Sequence, residues 1–195
     1  MIKYSIITPS FKAEQFTKKC IESVSKFTKN YEHIIVAQEC DLANFNNYPV
    51  MIINCPKNLG ISKAWNLGMM KAQGYLWFMM ANDVEVKPGW IKYYEKPFEN
   101  NEKLASAISK IDMSISCWNP EFIRRWGGWD ENIPFDYDDI EMQKRAFIAG
   151  WDIHEFEAMP FIHHQHKSGR YFKDRERIKE ESRNYMNKKY QGWET

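Results

Sequence analysis

Three separate stretches of the chain carry side chains that could bind a metal ion or move a proton. The first is NDVEVKPGW (82–90), which follows the apolar run YLWFMM (75–80). A carboxylate at the end of a buried strand, here Asp83, could hold a divalent cation, because Mg²⁺ and Mn²⁺ prefer oxygen ligands and often share them with substrate phosphates. The alternative is a simple turn, since Asn-Asp pairs commonly end strands.

The second stretch is FDYDDIEMQKRAFIAGW (135–151), which places Asp138, Asp139 and Glu141 in the first turn of a predicted helix. Carboxylates at that position cap free N–H groups and complement the helix dipole, so a structural role would explain them. In a functional role, one of them would be the general base that deprotonates a hydroxyl. Both interpretations stay open from the residues alone.

The third stretch is HHQH (163–166), at the end of a predicted strand. If the backbone there is extended, His164 and His166 share one face and His163 lies on the other. A single metal ion would then take one or two of the three. Imidazole suits Mn²⁺ less well than Zn²⁺, but it is acceptable as one ligand beside carboxylates.

The elements that position these stretches alternate between strand and helix patterns over the first ninety residues. Strands are predicted at 4–8, 33–37, 50–54 and 75–80, and helices at 13–27 and 61–74. Such alternation predicts an α/β fold with a mostly parallel, Rossmann-like sheet flanked by helices. Ligands of these sheets bind beyond the carboxyl ends of the strands, where Asp83 would lie.

The second half of the chain is less regular. Strands are predicted at 104–110, 114–118 and 153–162, and helices at 120–126 and 138–150. A charged, amphipathic helix is predicted over 172–190. We find no internal repeat and no linker, so we expect one domain (1–170) with a helical tail (171–195) packed on it or extending from it.

Composition excludes several classes of protein. The chain has 195 residues with 44% apolar and 27% charged residues, as is typical of one globular domain. A net charge of +1 argues against an extensive nucleic-acid-binding surface. The sequence contains no run of 18 or more apolar residues, which is the length needed to span a membrane. Four scattered cysteines and the lack of an apolar signal region predict a cytoplasmic protein, whose tail is either solvated or rests on the inner face of a membrane.

In this order on an α/β chain, these stretches resemble the family 2 inverting glycosyltransferases of GT-A fold. NLGISKAWNLGMMKAQGYLWFMMANDVEVKPGWI (58–91) is similar to the family's helix, buried strand and DxD-type motif. GGWDENI (127–133) is similar to its acceptor loop, and the helix beginning near Asp138 resembles its "ED" helix. The resemblance covers nearly the whole chain except the tail.

The resemblance implies a role for each matching residue. Asp139 is the expected base, Asp83 the expected metal ligand, and one of His163, His164 and His166 a second ligand for Mn²⁺ or Mg²⁺. Trp129, Asp130 and Asp138 are expected on the acceptor side. The donor side is expected to comprise Pro9, Ser10, Phe11, Gln38, Asn58, Gly60, Lys63, Asn66, Asn82 and Asp83.

Two positions depart from the family pattern. Gln38 stands where the family usually has the Asp that hydrogen-bonds the nucleobase, which makes a UDP preference less secure, although an amide can still pair with uracil. Ala81 replaces the first Asp of the DxD motif, which leaves Asp83 as its one carboxylate.

The resemblance implies a metal-dependent enzyme that moves a sugar, with a UDP-sugar favoured, to the hydroxyl of a saccharide, lipid-linked or protein acceptor. A catalytically silent nucleotide-sugar-binding domain is the alternative, and a nucleotidyltransferase is a more distant one because no Gly-rich triphosphate-binding loop is present. The oligomeric state stays open.

Overall fold

The computed structural model describes residues 2–133, 136–165 and 174–191. The strands are β1 Tyr4–Phe11, β2 Tyr31–Gln38, β3 Met51–Cys55, β4 Leu76–Met80, β5 Val84–Val86, β6 Leu104–Ser109, β7 Ile115–Trp118, β8 Asp152–Phe156 and β9 Phe161–His163. The helices are α1 Glu14–Phe27, α2 Ile61–Met69, α3 Ile91–Glu95, α4 Pro120–Trp126, α5 Asp138–Ile148 and α6 Arg175–Lys189. Two short 3₁₀ turns, Leu42–Phe45 and Lys96–Glu99, complete the described elements.

Seven strands form one mixed sheet in the order β3-β2-β1-β4-β7-β6-β8. Strands β1 to β4 run parallel to one another, whereas β7 runs antiparallel between β4 and β6. Because β4 and β6 each run antiparallel to β7, they point the same way, and their carboxyl ends lie at the edge shared with β1 and β2. The predicted α/β fold with a mostly parallel sheet is confirmed.

Helices cover both faces of this sheet. Ile6 packs with α1 residues such as Cys20 on one face, whereas Ile7 packs with Trp65 of α2 on the other. This alternation is the two-residue period of a strand whose two faces are both covered. The chain leaves α2 through a turn at Gly74, where a Cβ atom would lie 2.4 Å from the backbone nitrogen of Ser5. Only glycine fits so close to β1.

Several predicted boundaries differ from the observed ones. Helix α2 ends at Met69 rather than near 74, because the backbone turns there towards β1. The predicted strand 153–162 is divided into β8 and β9 around Pro160, which has no N–H to offer a ladder. After this break the chain leaves the large sheet, and β9 pairs antiparallel with β5 in a separate two-stranded ribbon.

Helix α6 packs against the domain through Ser182 and Met186, which are 0% and 7% exposed. Part of the predicted tail helix, together with His166, lies outside the described residues. None of the helices in the described ranges is both long enough and apolar enough to cross a bilayer. All four cysteines are free thiols.

Candidate active site

A cleft of about 510 Å³ opens along the sheet edge where the carboxyl ends of the parallel strands meet. The sequence-predicted donor, metal, acceptor and base positions that line it are Pro9, Phe11, Gln38, Asn58, Gly60, Asn82, Asp83, Trp129, Asp138, Asp139 and His163. These residues come from loops that are far apart in the sequence. The fold therefore brings Asp83, His163 and Asp139 to one cavity.

Of the predicted site residues that the structure describes, five are not part of this lining. Ser10 is buried against Thr17 (Oγ–Oγ1, 2.7 Å), and Lys63 forms a weak ion pair with Glu131 (3.8 Å). The others contact neighbouring elements of the fold: Asn66 contacts the backbone of Trp129, Asp130 contacts α6, and His164 contacts Glu85 of β5. Their predicted ligand roles stay predictions.

Asp83 lies between the end of the buried strand β4 and the start of β5, and it is itself 4% exposed. Its Oδ1 lies 3.3 Å from Nε2 of His163. The backbone carbonyl of Asp83 accepts a hydrogen bond from the N–H of His164 (2.9 Å), which ties the start of β5 to the end of β9. The β5–β9 ribbon thus fixes the carboxylate and the imidazole next to each other.

Asp112 completes this group on the other side of the imidazole. Its Oδ2 lies 2.8 Å from Nδ1 of His163, and its Oδ1 accepts the backbone N–H of Ser114 (2.8 Å). Burial lowers the pKa of His163, but the hydrogen bonds to Asp112 and Asp83 outweigh it and raise that pKa to about 9. Without a metal ion, a protonated His163 therefore links two carboxylates at neutral pH.

Asp83 and His163 also fit the ligand set of an Mg²⁺ or Mn²⁺ ion. Such ions are usually bound by one or two protein side chains together with substrate phosphates, so a full protein cage is not required. When Nδ1–H of His163 donates its hydrogen bond to Asp112, Nε2 keeps its lone pair on the side of Asp83. This is the common arrangement in which a carboxylate orients a histidine that binds a metal ion. Among the described residues, no group of three or more His, Cys, Asp and Glu forms a preformed metal site.

His164 has a different environment from His163. Its Nε2 lies 2.7 Å from Oε1 of Glu85 and outside the cleft lining. Strand β9 ends at His163, and Gln165 has a positive φ of 47°, so the extended backbone does not continue through the whole histidine cluster. Of the two histidines of this cluster that the structure describes, His163 is the one placed to share an ion with Asp83.

Asp138 and Asp139 lie at the start of α5 and are only partly buried. Oδ1 of Asp139 accepts the backbone N–H of Ile140 (2.8 Å), so the structural role considered from sequence is partly present. Burial, together with the negative charge of Asp139, raises the pKa of Asp138 to about 7. Burial also raises the pKa of Asp139 above its ordinary value. Two carboxyl groups of raised basicity thus face the cleft.

Gln38 lines the cleft at the end of β2. The side chain is 3% exposed, and its Oε1 accepts the backbone N–H of Leu59 (2.8 Å). Oδ1 of Asn58 accepts the N–H of Gly60 (3.0 Å), and Gly60 has a φ of 82°, which favours glycine. These contacts hold the 58–60 loop against the end of β2.

Two features of the site and its surroundings were not predicted from the sequence. Asp112 follows β6 at the same edge of the sheet, and the rule that ligands bind at carboxyl ends would have marked it. The contacts of Glu141 with α6 had no local signal, because they join residues almost fifty positions apart.

Comparison with protein families gives a match between residues 5–186 and the model described as "Glycosyl transferase family 2". Comparison with curated protein sequences gives no match.

Solved structures of similar fold include the mannosyltransferase PcManGT from Pyrobaculum calidifontis in complex with GDP-Man and Mn²⁺ (TM-score 0.64, 10% identity, 80% of this chain and 55% of that one). Two structures of S. aureus TarS (1–349) are also similar at 12% identity, covering 82% of this chain and 59% of theirs. Their TM-scores are 0.64 without a named ligand and 0.65 in complex with UDP. The chain thus spans less than two thirds of each of these structures, and at such identities the likeness concerns the fold.

Proposed function

Because the chain belongs to glycosyl transferase family 2, we propose that it transfers a sugar from a nucleoside-diphosphate donor to an acceptor hydroxyl, with inversion at the anomeric carbon. The observation that carries this proposal is the shared cleft of Asp83, His163 and Asp139. A diphosphate near the first two and a hydroxyl near the third would place the reacting carbon between them.

Asp83 and His163 are the residues that would hold Mn²⁺ or Mg²⁺ with the donor diphosphate. When bound, the ion would offset the negative charge that develops on the leaving phosphate. Asp112 would orient His163 for this role through its hydrogen bond to Nδ1. The similar structures that contain GDP-Man with Mn²⁺ and UDP support a nucleotide-sugar donor, and we keep a UDP-sugar as the favoured one.

Asp139 would accept the proton of the acceptor hydroxyl. As that O–H bond breaks, the oxygen forms a bond to the anomeric carbon from the face opposite the diphosphate. The bond between that carbon and the phosphate oxygen breaks, and the nucleoside diphosphate leaves with its electron pair. A positioned base of this kind contributes about 10² to 10⁴-fold to the rate. We propose a saccharide, lipid-linked or protein hydroxyl as acceptor.

A catalytically silent nucleotide-sugar-binding domain is the second candidate. It is motivated by Ala81, which lines the cleft where the family motif has its first carboxylate. One carboxylate fewer would weaken metal binding, and a domain of this kind could bind a donor without using it.

One experiment separates the two candidates. The purified protein is screened by thermal shift against a panel of nucleotide sugars with Mn²⁺, and release of nucleoside diphosphate is then measured with the donor that stabilises it most. A ligand at a hundred times its Kd stabilises the folded state by about 2.7 kcal/mol, which such a screen detects readily. Slow diphosphate release that EDTA abolishes supports the enzyme. Stabilisation without any release, with acceptor or without, indicates the silent domain.

A further inference from the structure

The C-terminal end of α6 meets both acceptor-side elements of the cleft. These elements are the 127–133 loop, which contains Trp129, and the first turns of α5, which contain Asp139. We propose that α6 is a positioning element of the active site, in which Lys189 ties the 127–133 loop to α5. This inference rests on the proposed function for its kinetic consequences, but not for its structural ones.

The contact with α5 centres on Glu141, whose side chain is fully buried. Its Oε1 accepts hydrogen bonds from Nζ of Lys189 (2.8 Å) and from the hydroxyl of Tyr190 (2.7 Å), and its carboxylate also pairs with Arg145. Burial alone would raise the pKa of Glu141, but these partners hold it below its ordinary value. A buried, ionised carboxylate two residues after Asp139 thus takes partners from α6.

The contact with the loop centres on Asp130. Oδ2 of this residue lies 2.5 Å from Nζ of Lys189 and 3.0 Å from the hydroxyl of Tyr185. Its Oδ1 accepts the backbone and side-chain N–H groups of Asn132 (3.0 and 2.9 Å). Both oxygens are therefore engaged in hydrogen bonds within the protein, which suits a residue that holds the loop in place.

The loop is fixed from its other side by α2 and α5. The side chain of Asn66 accepts the N–H of Trp129 and donates to its carbonyl, each at 2.9 Å. Arg145 donates to the carbonyl of Gly128 (2.7 Å). Since Trp129 lines the cleft, its position depends on these contacts and, on the side of α6, on the Asp130–Lys189 pair.

The earlier part of α6 also reaches the cleft. Nζ of Lys179 lies 3.7 Å from Oδ2 of Asp136, a lining residue next to the two carboxyl groups at the start of α5. Helix α6 therefore contacts the acceptor side at two points about ten residues apart. Loss of Lys189 would leave the carboxylates of Asp130 and Glu141, 11% and 0% exposed, without their shared cation. We expect the loop and α5 to shift in response, because a buried charge that has lost its partner is strongly destabilising.

The test compares Lys189→Met, which keeps the apolar stem, with Lys188→Met, which removes the same charge from the exposed neighbouring position. Backbone hydrogen exchange is measured over 127–133 and 138–141. Donor affinity, kcat and the acceptor KM are then measured for both variants. Because a displacement of about 1 Å in a site can cost about 10²-fold in rate, we expect kcat/KM for the acceptor to fall about 10 to 100-fold in Lys189→Met. Donor affinity should stay within about twofold, and exchange over both segments should become faster.

Lys188→Met should match the wild type in every readout. Equal exchange and equal kinetics in the two variants would overturn the proposal, as would a loss confined to donor affinity. If Lys189→Met does not fold, Tyr190→Phe removes a single hydrogen bond to Glu141 and should show the same pattern to a smaller degree. Wild-type behaviour of a folded Tyr190→Phe would then count against the proposal.

A double-mutant cycle tests the route through Asp130. In Asp130→Asn, adding Lys189→Met should change kcat/KM by less than it does in the wild type, because the pair is already broken. Full additivity would overturn the link. If the wild type transfers no sugar, the proposed function is wrong, whatever the variants show. Faster backbone hydrogen exchange in Lys189→Met alone would still support the structural part of the inference.

Discussion

Substitution of each carboxyl group at the start of α5, combined with the pH dependence of the rate, can identify the base. Burial and the negative charge of Asp139 raise the pKa of Asp138 to about 7, and burial also raises the pKa of Asp139 above its ordinary value. If Asp138 is the base, a pKa of about 7 leaves it only about one-eleventh ionised at pH 6. The rate at pH 6 would then be about tenfold below its plateau at high pH. If Asp139 is the base, the pH dependence of the rate follows the titration of Asp139 and persists in Asp138→Asn.

We expect the wild type to follow the second pattern. Asp139→Asn should lower kcat by about 10² to 10⁴-fold and leave donor affinity within about twofold, because only the proton acceptor is removed. Asp138→Asn should lower kcat by less than about tenfold. It has the same chemical change one residue away and therefore serves as the matched control.

The assay is release of nucleoside diphosphate in the presence of acceptor, measured from pH 5 to pH 9 at constant ionic strength. Donor affinity is measured separately for each variant. A wild-type midpoint at pH 7, together with the larger loss in Asp138→Asn, would refute the assignment of Asp139 and make Asp138 the base. Since the two groups interact, both midpoints belong to the pair as well as to the single residues.

Further predictions concern the metal, the stability and the fold. His163→Ala should weaken Mn²⁺ binding by about tenfold or more, as measured calorimetrically with nucleoside diphosphate present. His164→Ala should leave the Mn²⁺ affinity within about twofold of the wild type. A larger loss in His164→Ala than in His163→Ala would contradict the ligand assignment. Because the pKa of Asp138 is about 7 in the folded protein and ordinarily 3.8, the carboxyl group destabilises the fold progressively as pH rises from about 4 to about 7. Asp138→Asn should therefore raise the urea midpoint relative to the wild type more at pH 8 than at pH 5, and an equal difference at both would exclude the shift. Gly74→Ala should lower the free energy of unfolding by about 1 to 3 kcal/mol, because the added Cβ would lie 2.4 Å from the backbone nitrogen of Ser5. An unchanged denaturation midpoint would show that β1 can move to accommodate the methyl group.

The parallel part of the fold could be predicted from the sequence because its signals are local. Strand β4 is a continuous apolar run, and the helix before it carries an apolar stripe at helical spacing. The rule that ligands bind at carboxyl ends then placed Asp83 at the correct edge without knowledge of the topology. The convergence with Asp139 followed from the family resemblance, and the shared cleft agrees with it.

The remaining features depend on contacts between distant residues. Nothing near His163 in the sequence indicates that its Nδ1 would be hydrogen-bonded to Asp112, which is 51 positions away. The insertion of antiparallel β7 between β4 and β6 is a matter of chain topology, which local periodicity does not encode. The charged tail could be recognised as a helix, but its docking depends on pairing Lys189 with Asp130 and Glu141.

The pairing of β5 with β9 also decides which imidazole meets the carboxylate. His163 stands opposite Val84, and Phe161 stands opposite Val86, with the phenyl ring fully buried. A slip of one residue would turn Phe161 towards water and exchange His163 for a neighbour, since successive side chains of a strand alternate between faces. The burial of one aromatic ring therefore selects which of two adjacent imidazoles lies next to Asp83, and with it the proposed metal ligand.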